Sequence, residues 1–303
     1  VETEAPFEQR SVTVEQGRRQ SRLQVRLHGT AGSGMTFVLE SGGGGMTAEQ
    51  WATIEQQLAG HGLVMSYDRA GIGKSQAASS LSPAAVADRL LAVLTAVGIE
   101  TPYVLIGYSL GCLYARYFAA TRPGKILGLV LLDPTPLDDA AYERSRFDLP
   151  TPVVILIVHV WAWALYFFAQ SGLAALLYRT VWRARDGSLA KLVRRGGELP
   201  KSRHVRTLLR ELRSMGSIQK AAAGQALPVA LPVLYISAGL PPKLEGLRKH
   251  HRKLAESGPP PWSRHQIVDG ATHASLVIDP QHARIVGDLI VEFAGQVAAR
   301  IPA

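Results

Sequence analysis

The chain has 303 residues, 47% of them hydrophobic and 19% charged. That length and balance suit one large domain, or one domain with an insertion, and exclude a disordered polypeptide. A single cysteine, Cys112, excludes an internal disulfide framework, and the net charge of +9 matters more for where it sits than for its size.

The chain opens at Val1 rather than Met. This is consistent with removal of an upstream segment, which puts any targeting signal out of sight and leaves the compartment open between a soluble, a peripheral membrane and an exported protein. Residues 11–15 and 23–27 alternate apolar and polar around Gly17-Arg18-Arg19, the pattern of an antiparallel hairpin. Residues 36–39 form a third, apolar strand. It runs into Ser41-Gly42-Gly43-Gly44-Gly45, and residues 48–59 then read as a helix. A glycine run between strand and helix lets the backbone approach a ligand and aim its N–H groups at it. His28-Gly29 resembles another ligand-facing pair, but it closes the hairpin ahead of a plain turn at 30–34, so Gly42-Gly43 is favoured. Residues 63–67 are the next strand, followed by Asp68-Arg69-Ala70-Gly71-Ile72-Gly73-Lys74-Ser75. A phosphate-binding loop would need glycine at position 68, which is aspartate. This run therefore reads as a turn whose glycines pass close to the serine turn that follows the next strand.

Ser82-Pro83 opens a helix with a cap and a first-turn proline, and Val86, Leu90, Leu91, Leu94 and Val97 keep helical spacing. Residues 103–106 are a short buried strand, Gly107-Tyr108-Ser109-Leu110-Gly111 follows, and residues 112–121 read as a helix. Strand, G-x-S-x-G and helix together make a nucleophile elbow. The turn is so tight that the serine takes a strained backbone conformation, and the flanking glycines leave room where a Cβ would clash. The N–H of Leu110 then faces whatever Ser109 attacks. Residues 126–132 are a continuous apolar strand ending at Asp133-Pro134. Residues 233–237 and 265–268 complete the strands, and residues 280–299 close the chain as a helix with Ile285, Leu289, Ile290 and Phe293 inward. Strands that alternate with helices, several of them apolar throughout, predict an α/β protein with a mostly parallel eight-stranded sheet covered on both faces. The expected division is a core from 11 to 133, an inserted helical lid from 134 to 230, and the rest of the core from 231 to 301.

A serine hydroxyl is a weak nucleophile and needs a base, for which a histidine titrating near neutrality is suited. Of nine histidines, His273 lies in the small-residue loop Gly270-Ala271-Thr272-His273-Ala274 after the last strand, where the chain returns to the sheet edge. His250, His251, His265 and His282 read as surface residues, and His159 and His204 belong to the lid. The base needs an acidic acceptor to fix its tautomer. Asp133 ends a strand 24 positions after Ser109 and is favoured. The strand 233–237 meets no acid until Glu245, which stays as the alternative beside Asp269 and Asp279. No His, Cys, Asp or Glu cluster has metal-ligand spacing, so neither metal nor cofactor is expected.

The order Ser, Asp, His is that of the α/β-hydrolases. The stretches Leu39-Glu40-Ser41-Gly42-Gly43, Tyr67 to Ser75, Gly107 to Gly111, Leu131-Leu132-Asp133-Pro134 and Gly270 to His273 resemble the α/β-hydrolase fold superfamily, in its serine esterase or lipase-like form, from about residue 20 to 300 with the lid excepted. The resemblance implies a carboxylic ester hydrolase of apolar substrate character: Ser109 attacks to form an acyl-enzyme, His273 shuttles the proton and Asp133 holds His273. It also implies oxyanion donors at the N–H groups of Leu110 and Gly43, with Gly42 as the alternative. Two departures stand out. The His-Gly usual in the oxyanion loop is Ser41-Gly42, and the strand that often carries the acid carries none nearby. The same machinery would serve a thioester, lactone, amide or carbon–carbon bond, and a silent member would bind a small apolar ligand without turnover. Relatives with an aspartate nucleophile are dehalogenases or epoxide hydrolases, which Ser109 argues against.

In the lid, residues 153–169 are almost unbroken apolar sequence with Trp161, Trp163, Tyr166, Phe167 and Phe168. A membrane span needs about 20 such residues, and a helix covering the pocket is the favoured reading. Residues 179–220 carry twelve Lys or Arg against three Asp or Glu, with Arg203, Arg206, Arg210 and Arg213 on one helical face. A basic face beside apolar surface suits an anionic membrane, so peripheral lipid contact is a further expectation. Nucleic acid is not expected, since no recognition motif accompanies the charge.

Overall fold

The computed structural model describes residues 7–16, 19–32, 34–100, 102–137, 202–240, 245–258 and 263–299. Eight strands form one sheet: β1 (Glu8–Gln16), β2 (Arg19–His28), β3 (Met35–Glu40), β4 (Gly62–Tyr67), β5 (Tyr103–Tyr108), β6 (Ile126–Leu132), β7 (Val233–Ala238) and β8 (Arg264–Val268). Their order is β1-β2-β4-β3-β5-β6-β7-β8. β1 pairs antiparallel with β2 and β2 with β4; every later pairing is parallel. β5, β6 and β7 are apolar at nearly every position because both faces of a parallel sheet are covered. The parallel strands all end at one edge, which gathers the loops after β3, β4, β5, β6 and β8.

The described helices are α1 (Ala52–Ala59), entered through a 3₁₀ turn at Ala48–Trp51, α2 (Pro83–Ala96), α3 (Gly111–Thr121), α4 (Ser202–Arg213), α5 (Met215–Ala223), α6 (Glu245–Glu256), α7 (Ser275–Ile278) and α8 (Pro280–Ala298). The sheet separates two apolar cores. One holds Leu90, Val93 and Leu94 of α2 and Phe118 of α3; the other holds Ile54 and Leu58 of α1 and Ile290 and Phe293 of α8. Ser82 caps α2 as its sequence predicts, its side-chain oxygen accepting from the Ala85 N–H at 3.3 Å. The inward stripe of α8 differs from the expected one. It runs Ala283, Val286, Ile290, Phe293 and Val297, at spacings of three and four, while Ile285 is exposed. A single apolar residue off the stripe faces water at small cost.

Among the described residues, no helix is long and apolar enough to cross a membrane. The apolar run 153–169 and most of the basic stretch lie outside the described residues. The described part of the insertion expected to form a lid rests on the core. In α4, Arg210 donates to the carbonyls of Ala78 at 2.8 Å and Ser79 at 2.7 Å, and the Thr207 hydroxyl donates to the Gly71 carbonyl at 3.2 Å. Arg210, placed by its spacing on an open basic face, is therefore committed to loop carbonyls of the core. The glycines after β4 also differ from expectation. A Cβ on Gly71 would meet Thr207 of α4, and one on Gly73 would meet the Asp68 carboxylate, so these glycines admit α4 and close the turn rather than clear the serine loop.

Candidate active site

Ser109 follows β5 at φ 54°, a left-handed conformation rare for a side-chain-bearing residue. The local sequence forces it. A Cβ on Gly107 would stand 2.8 Å from the Cys112 backbone, and one on Gly111 2.5 Å from the Glu40 carbonyl oxygen, so α3 begins directly against the ends of two strands. One strand over, Asp133 follows β6 at φ 44°. Its N–H donates to the Ile236 carbonyl at 2.6 Å, and its Oδ1 accepts from the Ala238 N–H at 3.3 Å. The end of β7 thus aims a carboxylate that β6 supplies.

His273 joins the two. Its Nδ1 lies 2.5 Å from Asp133 Oδ2 and its Nε2 3.0 Å from Ser109 Oγ. Burial pushes the Asp133 carboxyl up, but the hydrogen bond and charge of His273 outweigh it and hold the carboxyl below its ordinary value. An ionised carboxylate only accepts, so it fixes the proton on Nδ1 and leaves Nε2 to accept from the serine hydroxyl. The His273 ring stacks on Tyr108 with centroids 4.9 Å apart, and the Tyr108 hydroxyl donates to the His273 carbonyl at 2.9 Å. Tyr108 is a positioning residue that the sequence reading missed; its only signal was a place next to the serine.

The structure brings together Ser109, His273 and Asp133 and leaves the other acids apart. Glu245 pairs with Arg248 at 3.1 Å, Asp279 caps α8 by accepting from the N–H groups of Gln281 and His282, and Asp269 is exposed. The glycine loop reaches the same place. A Cβ on Gly42 would stand 2.8 Å from the Tyr108 ring and 3.6 Å from Ser109 Cβ, and one on Gly43 3.0 Å from Leu110 Cδ2. Among the described residues, no hydrogen bond occupies the N–H of Gly43 or of Leu110. His28-Gly29 stands elsewhere: His28 is buried at 3.6 Å from Glu55 and stacks on Phe7.

A buried cation holds the glycine loop. Arg69, 3% exposed, donates to the carbonyls of Ser41 and of Gly42 (2.7 Å), to Glu40 of β3 at 2.8 Å, and to Glu211 of α4 at 2.9 Å. Burial lowers the guanidinium, but Glu211 and Glu40 outweigh it and hold it above its ordinary value. Burial also raises Glu40, against the opposing pull of Arg69 and of the Tyr67 hydroxyl that donates to it. Trp51 donates to Ser41 Oγ at 3.2 Å from the other side. The sequence did carry a signal for this clamp, an acid ending a mostly apolar strand (Glu40) and a basic residue two past the end of the next (Arg69), but not the connection between them.

The His251 reading also changes. His251 is buried, and Ser237 Oγ bridges its Nδ1 and the Nε2 of His265, each at 2.8 Å. Among the described residues, no group of three or more His, Cys, Asp or Glu could hold a metal ion.

Comparison with known proteins agrees with this architecture. The family profile for the alpha/beta hydrolase fold matches residues 36–174. The uncharacterized protein YqjL of Bacillus subtilis (strain 168) is 32% identical over 116 residues, covering 38% of this chain and 46% of that protein, so the match spans about half of the relative. Among solved structures, a thermophilic esterase from Thermogutta terrifontis superposes with a TM-score of 0.63 at 18% identity, covering 96% of this chain and 99% of the other. The Cif epoxide hydrolase from Acinetobacter nosocomialis gives 0.72 at 17% identity, covering 95% and 88%. At such identities the likeness is one of fold.

Proposed function

We propose that this chain, a member of the α/β-hydrolase fold superfamily, is a serine hydrolase that cleaves a carboxylic ester through an acyl-enzyme. The observation that carries the reading is the unbroken chain from Ser109 Oγ to His273 Nε2 (3.0 Å) and from His273 Nδ1 to Asp133 Oδ2 (2.5 Å). His273 takes the serine proton as Oγ attacks the carbonyl, and Asp133 stabilises the imidazolium that forms. The N–H groups of Leu110 and Gly43 receive the developing oxyanion. As the tetrahedral intermediate collapses, His273 returns the proton to the leaving alcohol. Water then enters and gives a proton to His273 as its oxygen attacks the acyl carbon; the bond from Ser109 Oγ to the acyl carbon breaks, His273 returns the proton to Oγ, and the acid leaves. The neighbours include epoxide hydrolases, but position 109 here is serine, and an attacking hydroxyl with a histidine base fits acyl transfer.

Nitrophenyl esters of increasing acyl length test the reading. The wild-type chain should release nitrophenol with saturation kinetics, and Ser109→Ala should abolish release while the circular dichroism spectrum stays unchanged. Undiminished turnover by Ser109→Ala would reject Ser109 as the nucleophile.

A further inference from the structure

Glu211 belongs to the lid helix α4, yet its carboxylate lies beside the glycine loop. Oε1 accepts from Arg69 at 2.9 Å. Oε2 is buried and has no hydrogen-bond partner among the described residues. It stands 3.5 Å from the point where a Cβ on Gly43 would be, a point that also lies 3.0 Å from Leu110 Cδ2. The residue as a whole is 1% exposed. An ionised carboxylate oxygen without a donor is costly to bury. Arg69 does not relieve it: Nη1 goes to Glu40 and the Ser41 carbonyl, Nη2 to the Gly42 carbonyl and Glu211 Oε1, and its Nε, likewise without a partner among the described residues, makes no hydrogen bond to Oε2. One guanidinium thus faces two carboxylates, and the acceptor left over lies beside Gly43 of the glycine loop.

We propose that Glu211 forms a subsite for a hydrogen-bond donor on the substrate, so that the preferred acyl group carries a hydroxyl or ammonium close to the scissile carbonyl. The proposal rests on the reading of the site as a serine esterase. It differs from the apolar substrate that the sequence suggests, since an apolar group at this spot leaves Oε2 unpaired. A site built to receive a donor discriminates strongly against the analogue lacking it, because its own polar group is then stranded.

The probes are ethyl 3-hydroxybutyrate, ethyl 3-aminobutyrate and ethyl butyrate, measured two ways. Binding to the Ser109→Ala protein is read by calorimetry, and kcat/KM by the wild-type enzyme. A hydrogen bond to a charged acceptor predicts at least one donor-bearing ester bound roughly tenfold to hundredfold more tightly than butyrate, and the same order in kcat/KM. If only the aminobutyrate is favoured, the subsite takes a cation; if both are, it takes a neutral hydroxyl as well. Glu211→Gln sharpens the test. Its amide oxygen must turn to Arg69, which only donates, so its NH₂ falls where Oε2 was and cannot accept. Thr207 and Arg210 still dock α4. The preference should collapse to near unity in this variant. Equal binding of the three esters by the Ser109→Ala protein would overturn the proposal whether or not Glu211→Gln folds. So would a Glu211→Gln enzyme that loses activity on all three esters with their ratio intact, since that is a structural role alone. Selective binding without any cleavage would uphold the subsite and reject the esterase reading instead.

Discussion

Ser109 and Asp133 are the two side-chain-bearing residues in the left-handed region among the described residues, and they end adjacent strands. Strain of this kind costs about 1–3 kcal/mol per residue and persists where neighbours over-determine it. For Ser109 the neighbours are local, Gly107 and Gly111, so the strain was legible as a motif. For Asp133 they are Ile236 and Ala238, about a hundred positions on, and nothing near Asp133 in sequence announces them. The sequence could favour Asp133 over Glu245 by its place at a strand end; it could not show the β7 backbone aiming the carboxylate. Asparagine tolerates a left-handed backbone, so Asp133→Asn keeps the fold and loses the charge that fixes the His273 tautomer. We expect kcat on a nitrophenyl ester to fall about 10⁴-fold, by analogy with the triad acid of serine proteases, and Glu245→Gln to change it little. The opposite pattern would move the acid to Glu245.

α6 shows why some elements were harder to read. Its sequence is dominated by Lys, Arg and His, which suggests a solvated surface, yet Leu247, Arg248, His251 and Ala255 form a stripe of three- and four-residue steps turned inward. Spacing carried the information and composition hid it. The result is a pair of histidines on Ser237, His251 buried and His265 half-buried, with burial pushing His251 down to about 4 and burial, with Arg252 and Arg248, pushing His265 down to about 4. Both rings are neutral when folded at pH 7, whereas an unfolded histidine takes a proton near 6.5. Between pH 6.5 and about 4 the unfolded chain therefore binds more protons, and stability must fall as the pH drops through that window. The contribution from His251 alone is roughly 3 kcal/mol. Asp133 acts elsewhere: its folded value is depressed, so its stabilisation is lost below its ordinary 3.8. Urea unfolding at pH 7.0, 5.5 and 4.5 should show this loss, and His251→Gln should flatten the slope even if it lowers stability at pH 7. Parallel slopes in the two proteins would contradict the assignment.

At the scale of the molecule, the parallel sheet explains why residues far apart in sequence meet. β3, β4, β5, β6 and β8 deliver the glycine loop, Arg69, Ser109, Asp133 and the loop carrying His273 to one edge, the usual place for ligands in open α/β sheets. The alternation of apolar strands and helices made this architecture legible. The hold of α4 on the glycine loop through Arg69 and Glu211 was not, because it joins Glu40, Arg69 and Glu211 across 171 positions with no repeat or motif to link them. The central claim is that this edge activates one serine, and a fluorophosphonate tests it most directly, since only an activated serine reacts quickly. After brief treatment of the intact chain, peptide mass mapping should find one phosphonate, on Ser109, and labelling should slow by orders of magnitude in Asp133→Asn. No adduct on the folded protein, or an adduct on a different serine, would contradict the account.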